Sequence, residues 1–226
     1  MRGIARIIIL LGAVFAVIFS SQSAQATATL SLFDGTHSKL IADQDAYDLN
    51  SNPGVVTYIG ALGCFDINIT TGTTYPDIGS LSYPMLNLKD VSIEGTDSGT
   101  LTIKFSEIGF GPTGSADFIT QAWGGTTESV TFNSYFDSGN NLFGQGTLVG
   151  TLGTYSNTLF NGTTTSSGNP SNPYSLTNVA TITYNAPSAT AFNMNLSVVP
   201  EPVSSTLFII GGAVLGFRSF RKMKKA

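Results

Sequence analysis

Residues 192–198 read Phe-Asn-Met-Asn-Leu-Ser-Val, and residues 101–105 read Leu-Thr-Ile-Lys-Phe. In both, a large apolar side chain falls at every second position, with polar residues between. Extended backbone sends alternate side chains to opposite faces, so each stretch predicts a strand with one buried and one wet face. Similar short segments lie around Leu30–Phe33, Val55–Ile59, Cys64–Ile69, Leu86–Ile93, Glu128–Tyr135, Thr147–Leu152 and Val179–Tyr184. The breaks carry turn chemistry, as in Asn52-Pro53-Gly54, Asp97-Ser98-Gly99 and Asn185-Ala186-Pro187. Helical spacing of apolar residues is nowhere sustained, because Gly, Thr, Asn or Pro interrupts within about two turns. The expected fold is all-β. A single open sheet would leave an apolar face in water, so a single antiparallel β-sandwich, jelly-roll-like, is the predicted architecture. Residues 161–175, NGTTTSSGNPSNPYS, lack an apolar period and read as an exposed loop between late strands.

The two ends of the chain differ from this middle. Arg2 and Arg6 precede an apolar run from Ile7 to Phe19, followed by small polar residues and Ala24-Gln25-Ala26. That order predicts a signal peptide over residues 1–26, cut after Ala26 by a signal peptidase that reads Ala24 and Ala26. Residues 27–199 then form one domain. Within it, Lys39, Lys89 and Lys104 stand against thirteen acids, a formal charge of −10 hidden inside a whole-chain value of −4. Such a surface repels phosphate backbones, which excludes a nucleic-acid partner, and it attracts cations. Cys64 is the only cysteine, so no intramolecular disulfide is available and packing must supply the stability.

Few residues of the domain point to chemistry. His37 is the only histidine and sits in a turn-like stretch, Asp34 to Ser38, where an exposed polar residue is the plain reading. No Ser-His-Asp or Cys-His arrangement is evident, so no catalytic residue is assigned and the chain is read as a non-enzyme. Thirteen acids leave room for a glycoside-hydrolase-like pair, the rival reading, although most of these acids neighbour turn residues. Calcium wants several oxygens on a flexible loop. Asp43, Asp45 and Asp48 crowd one such loop, and Asp137 with Asn140 another, and these five are the candidate Ca²⁺ ligands; no other cofactor is expected. Trp123, followed by Gly124-Gly125, and Tyr75, Tyr83 and Tyr174 are candidate platforms for sugar rings, with burial in the core as the alternative. Cys64, beside Phe65, reads as a small hydrophobe.

The C-terminus carries the most specific pattern. Pro200-Glu201-Pro202 precedes an apolar run from Val203 to Phe217 and a basic tail, residues 218–226, with Arg218, Arg221, Lys222, Lys224 and Lys225. In order, spacing and position this resembles the PEP-CTERM protein-sorting signal of bacteria. Each part has a physical use. The prolines hinder helix formation and keep the motif extended beside the bilayer. A transmembrane helix over 203–217 would span about 22 Å of roughly 30 Å of hydrocarbon, short for a permanent anchor. The basic tail stops translocation and stays on the cytoplasmic side. The resemblance implies recognition and cleavage near residues 200–202 by a membrane-embedded exosortase, with this chain as substrate. It further implies a Gram-negative source, an inner-membrane-tethered intermediate, and a final place on the cell surface or in an exopolysaccharide-rich biofilm matrix. Ectodomains joined to this signal are often Ser/Thr/Asn-rich β domains, and the implied role is structural or adhesive.

Overall fold

The computed structural model describes residues 27–201, and among these every regular element is a strand. In chain order they are β1 (Thr29–Phe33), β2 (Ser38–Ala42), β3 (Val55–Leu62), β4 (Phe65–Thr73), β5 (Met85–Gly95), β6 (Gly99–Phe110), β7 (Ala116–Asp137), β8 (Thr147–Gly168), β9 (Tyr174–Tyr184) and β10 (Ser188–Pro200). All pairings are antiparallel, and hydrogen bonds join them into one sheet ordered β2-β1-β6-β9-β7-β10-β5-β4-β3, with β8 beside β7. The expected signal peptide with Ala24 and Ala26, Pro202, the apolar run 203–217 and the basic tail lie outside the described residues.

The length of β7 explains how one sheet encloses a core. Its first half, Ala116–Thr126, pairs with β10, and its second half, Ser129–Asp137, pairs with β9. The register slips between Thr126 and Ser129, where the ladder bends. β8 follows the same course along β7, so the sheet folds over and its two halves meet face to face. One layer holds β2, β1, β6, β9 and the second half of β7; the other holds β3, β4, β5, β10 and the first half of β7. Contacts across the fold prove the facing. Phe132 of β7 meets Phe192 of β10 edge-on, with ring centroids 4.9 Å apart. The Tyr184 hydroxyl of β9 donates to the Ile93 carbonyl of β5 at 3.2 Å, and Asn178 Nδ2 donates to the Leu86 carbonyl at 2.7 Å. Gly72 and Gly95 permit close approach, because a Cβ at either would overlap an aromatic ring of the opposite layer, Phe105 or Tyr184.

The core is the sum of the inward positions. Leu101, Ile103 and Phe105 on β6, Leu86 and Leu88 on β5, and Phe192, Met194, Leu196 and Val198 on β10 are buried in one apolar cluster. The expected alternation therefore holds in the strands that suggested it.

One expectation fails. Residues 161–168 are not a loop but the second half of β8, laddered to Ala116–Trp123. They escape the apolar period because an edge strand at the rim of two layers has little core to face, and Phe160 is its buried anchor. Of the two fates open to Tyr174, burial is the one realised, which removes it as a sugar platform: its ring is tilted against Phe110 at 6.0 Å and its hydroxyl bonds Thr113 at 2.8 Å.

Candidate functional site

The outer face of the β4-β5-β10-β7-β8 layer is assembled by register from strands far apart in sequence. Since Phe192, Met194, Leu196 and Val198 point inward, Asn193, Asn195 and Ser197 point outward, and β7 likewise turns Ile119, Gln121 and Trp123 out. Asn87 stands opposite Asn195, Asn195 opposite Gln121, and Gln121 opposite Thr163, a polar row across four strands. Asn195 Nδ2 donates to Gln121 Oε1 at 3.5 Å within that row. The Oδ1 atoms of Asn87 and Asn195 are themselves buried and have no hydrogen-bond partner in the protein.

The next row places an indole among amides. Asn193 is opposite Trp123, and Trp123 is opposite Asn161. Trp123 is 45% exposed although its strand is central in the folded sheet. Asn193 Oδ1 accepts the backbone N–H of Asp90 at 3.0 Å, which fixes one edge of this row.

Beyond it the floor drops. Ser92, Ala191, Gly125 and Leu159 follow one another across β5, β10, β7 and β8. With three of these side chains small or absent, the surface sinks into a shallow cleft of about 410 Å³, also lined by Glu94, Thr127, Thr158 and Ala189. Leu159, 86% exposed, forms a wall and reaches within 2.9 Å of where a Cβ on Gly125 would sit, so a larger residue at 125 would close the trough. Glu94 is opposite Asp66 on β4, and both are exposed.

The other candidates have mostly structural uses. Asp45 accepts backbone N–H groups of Ala42, Tyr47 and Asp48; Asp48 accepts those of Gln44, Asn50 and Thr57; and Asp43 accepts that of Gly54. Burial acts to raise the Asp45 pKa, but those N–H donors and the charge of Lys39 outweigh it and hold it below the ordinary value. Asp137 is likewise held low by the Gly139 N–H and the Asn141 side chain, and Asn140 Oδ1 accepts from Gly109 N–H at 2.7 Å. These oxygens are thus engaged in shaping turns. Among the described residues no group of three or more His, Cys, Asp or Glu converges as a metal site would require.

His37 is an exposed turn residue whose Nδ1 lies 2.9 Å from Asp34 Oδ2. Hydrogen bonds from the His37 backbone and ring and from Thr36 N–H lower the Asp34 pKa to about 2. Tyr83 and Tyr75 are exposed, and Cys64 is half-buried against the core. Pro200 is the last residue of β10, opposite Ala116, and the Glu201 N–H still bonds Ser115 O at 2.9 Å. The motif therefore begins inside the domain's final strand, with Glu201 exposed.

A buried acid escaped the sequence reading. Glu107 on β6 is only 1% exposed, and desolvation pushes its pKa up to about 8, aided by the charge of Asp43 and opposed by the Thr74 hydroxyl. Thr74 Oγ1 lies 2.6 Å from Glu107 Oε2 and 2.9 Å from the Met85 carbonyl. A hydroxyl carries one proton, so when Thr74 donates to the carbonyl the carboxyl must supply the proton of the shorter bond. The geometry thus favours a neutral Glu107.

No family model and no curated protein matches this chain. Weak likenesses exist among solved structures. The carbohydrate-binding module TmCBM61, in complex with beta-1,4-galactotriose, is 10% identical with a TM-score of 0.34, over 63% of this chain and 92% of that one. The K1 cleaved adhesin domain of Lys-gingipain from Porphyromonas gingivalis W83 is 9% identical at 0.30, over 76% and 91%. The C-terminal CBM6 of the laminarinase LamC from Zobellia galactanivorans is 13% identical at 0.26, over 62% and 98%. At these scores none of them carries a ligand or a role across to this chain.

Proposed function

We propose that this chain is an exported surface or matrix protein, sorted by an exosortase through residues 200–226, whose jelly-roll-type sandwich binds a neutral polysaccharide on the outer face just described. The observation that carries the binding reading is an exposed indole set in a row of amides beside a cleft. An indole offers an apolar plate to the C–H face of a sugar ring. Amides present donors and acceptors together, and a sugar hydroxyl is also both, so the outward Asn87–Asn195–Gln121 row matches a polyhydroxylated chain. The strip runs across several strands, which suits a polymer more than a small molecule. Because β8, β9 and β10 carry no formal charge, a neutral chain is favoured over an acidic one that Glu94, Asp90 and Asp117 would repel.

Affinity electrophoresis of the exported protein through gels containing neutral exopolysaccharides tests this. Retardation that Trp123→Ala abolishes and Tyr83→Ala leaves intact supports the site; equal mobility of all three in every gel refutes it. Intact-mass analysis from cells with and without the sorting protease tests the other half. Loss of the tail only when the protease is present supports sorting, and a retained Ala226 in both refutes it.

The opposed pair Asp66 and Glu94 favours a second reading, glycoside hydrolysis, since cross-strand partners hold their Cβ atoms about 4.5–5.5 Å apart, near the carboxylate spacing of retaining enzymes. Both side chains are exposed, however, and a general acid of this kind needs desolvation to stay protonated near neutrality. Release of reducing ends that Glu94→Gln abolishes would establish hydrolysis.

A further inference from the structure

The outer edge of β8 is the longest unpaired strand edge in the described residues. β8 runs 22 residues from Thr147 to Gly168 and pairs with β7 alone, so its far side presents backbone N–H and C=O groups along both layers. Natural edge strands are blunted by lysine, proline, inward-pointing charge or β-bulges. β8 contains no charged residue and no proline and is rich in Thr; its bulges against β7, between Tyr155 and Leu152 and between Gly150 and Leu148, are confined to its first half, and Thr158–Gly168 runs in unbroken register. It also displays apolar side chains to solvent, Leu148 at 52% and Leu159 at 86% exposed.

We infer that β8 is an association edge whose occupant is a second copy of this chain, paired antiparallel β8 to β8 about a two-fold axis. Charge distribution selects that occupant. Residues 138–200 carry no formal charge, while all the acids and lysines of residues 27–199 fall between Asp34 and Asp137. Two copies of a strongly acidic domain repel each other wherever acidic loops meet, and β8 offers an edge strand that itself carries no charge. The self-pairing is isologous, as a two-fold requires. Because β8 crosses from one layer to the other, its inversion sets the β2-side layer of one copy against the β3-side layer of its partner. Both layers then continue across the junction, and each chain's polysaccharide face extends toward its neighbour's. The inference stands apart from the sugar reading, since dimerisation needs no ligand.

Sedimentation velocity of the exported protein across a wide concentration range, with hydrogen exchange of the backbone amides, tests it. The expected result is a reversible dimer whose formation slows exchange specifically in residues 147–168. A Leu159→Lys/Thr165→Lys pair places like charges at the edge without removing buried groups, and should weaken the dimer by about tenfold or more. A protein that stays monomeric at all concentrations overturns the inference. So does a dimer whose protection maps to β2 or β3, and so does a dimer indifferent to the two lysines. Unchanged far-ultraviolet dichroism of the variant shows that the fold is intact, and a misfolded variant would leave the wild-type protection pattern to decide between β8 and the other edges.

Discussion

Replacing Glu107 by glutamine isolates one buried proton. In the folded chain this carboxyl titrates at about 8, against an ordinary value of 4.5. Between those values the folded state holds a proton that the unfolded state has lost, so stability falls as pH rises through the window and levels above it. Below 4.5 the stabilisation from the neutral form is fully present. The interval corresponds to at most about 5 kcal/mol at roughly 1.4 kcal/mol per pH unit, large against the 5–15 kcal/mol of a typical domain. Glutamine keeps the shape and a donor for Thr74 Oγ1 but has no proton to lose. Urea unfolding of both proteins at pH 5 and pH 9 reads the difference directly. The two should be within about 1 kcal/mol at pH 5, with the variant several kcal/mol more stable at pH 9. Parallel stability curves across that range would show that Glu107 is not held neutral, and the reasoning from its burial and from Thr74 would fall.

Other outcomes follow from the same structure. Phe132→Ala removes the ring that meets Phe160 and Phe192 at the centre of the fold, and should cost about 3–5 kcal/mol in denaturant unfolding. Asp45→Ala strips an acceptor from three backbone N–H groups and should cost about 1–2 kcal/mol at neutral pH, with the difference shrinking in acid. The shrinkage has a definite sign, because the lowered pKa of Asp45 contributes stability above the ordinary carboxylate value that is lost as pH falls through the depressed one. With Asp34 and Asp137 also held low and Glu107 held high, thermal midpoints should peak on the acidic side of neutrality. Adding millimolar Ca²⁺ should leave the midpoint unchanged within about 1 °C, since the Asp43–Asp48 carboxylates are occupied by backbone donors; a rise of several degrees would restore the calcium reading.

The strands legible in the sequence were those with one face on the core. Leu101-Ile103-Phe105 and Phe192 to Val198 announced themselves because burial forces the alternation. The second half of β8 did not, because it meets the rim, where Ser, Thr and Gly suffice on both faces. The burial of Tyr174 could not be read locally, because its ring lies between Phe110 and Phe136 at the C-terminal ends of β6 and β7. The candidate site was half visible. Trp123 could be named from its type and its glycine neighbours, whereas the Asn87–Asn195–Gln121 row exists only through the register of β5, β10 and β7. Glu107 read as one acid among many, since nothing local distinguishes a carboxyl that Thr74 and the folded layers enclose.

Chemical-shift mapping of the isotope-labelled protein, titrated with a soluble neutral polysaccharide, tests the account most directly. Saturable shifts should appear at the Trp123 indole and the side-chain amides of Asn193, Asn195 and Gln121, while Thr102 and Thr181 on the opposite outer face stay unmoved. Shifts confined to that opposite face, or none at any tested concentration, would contradict it.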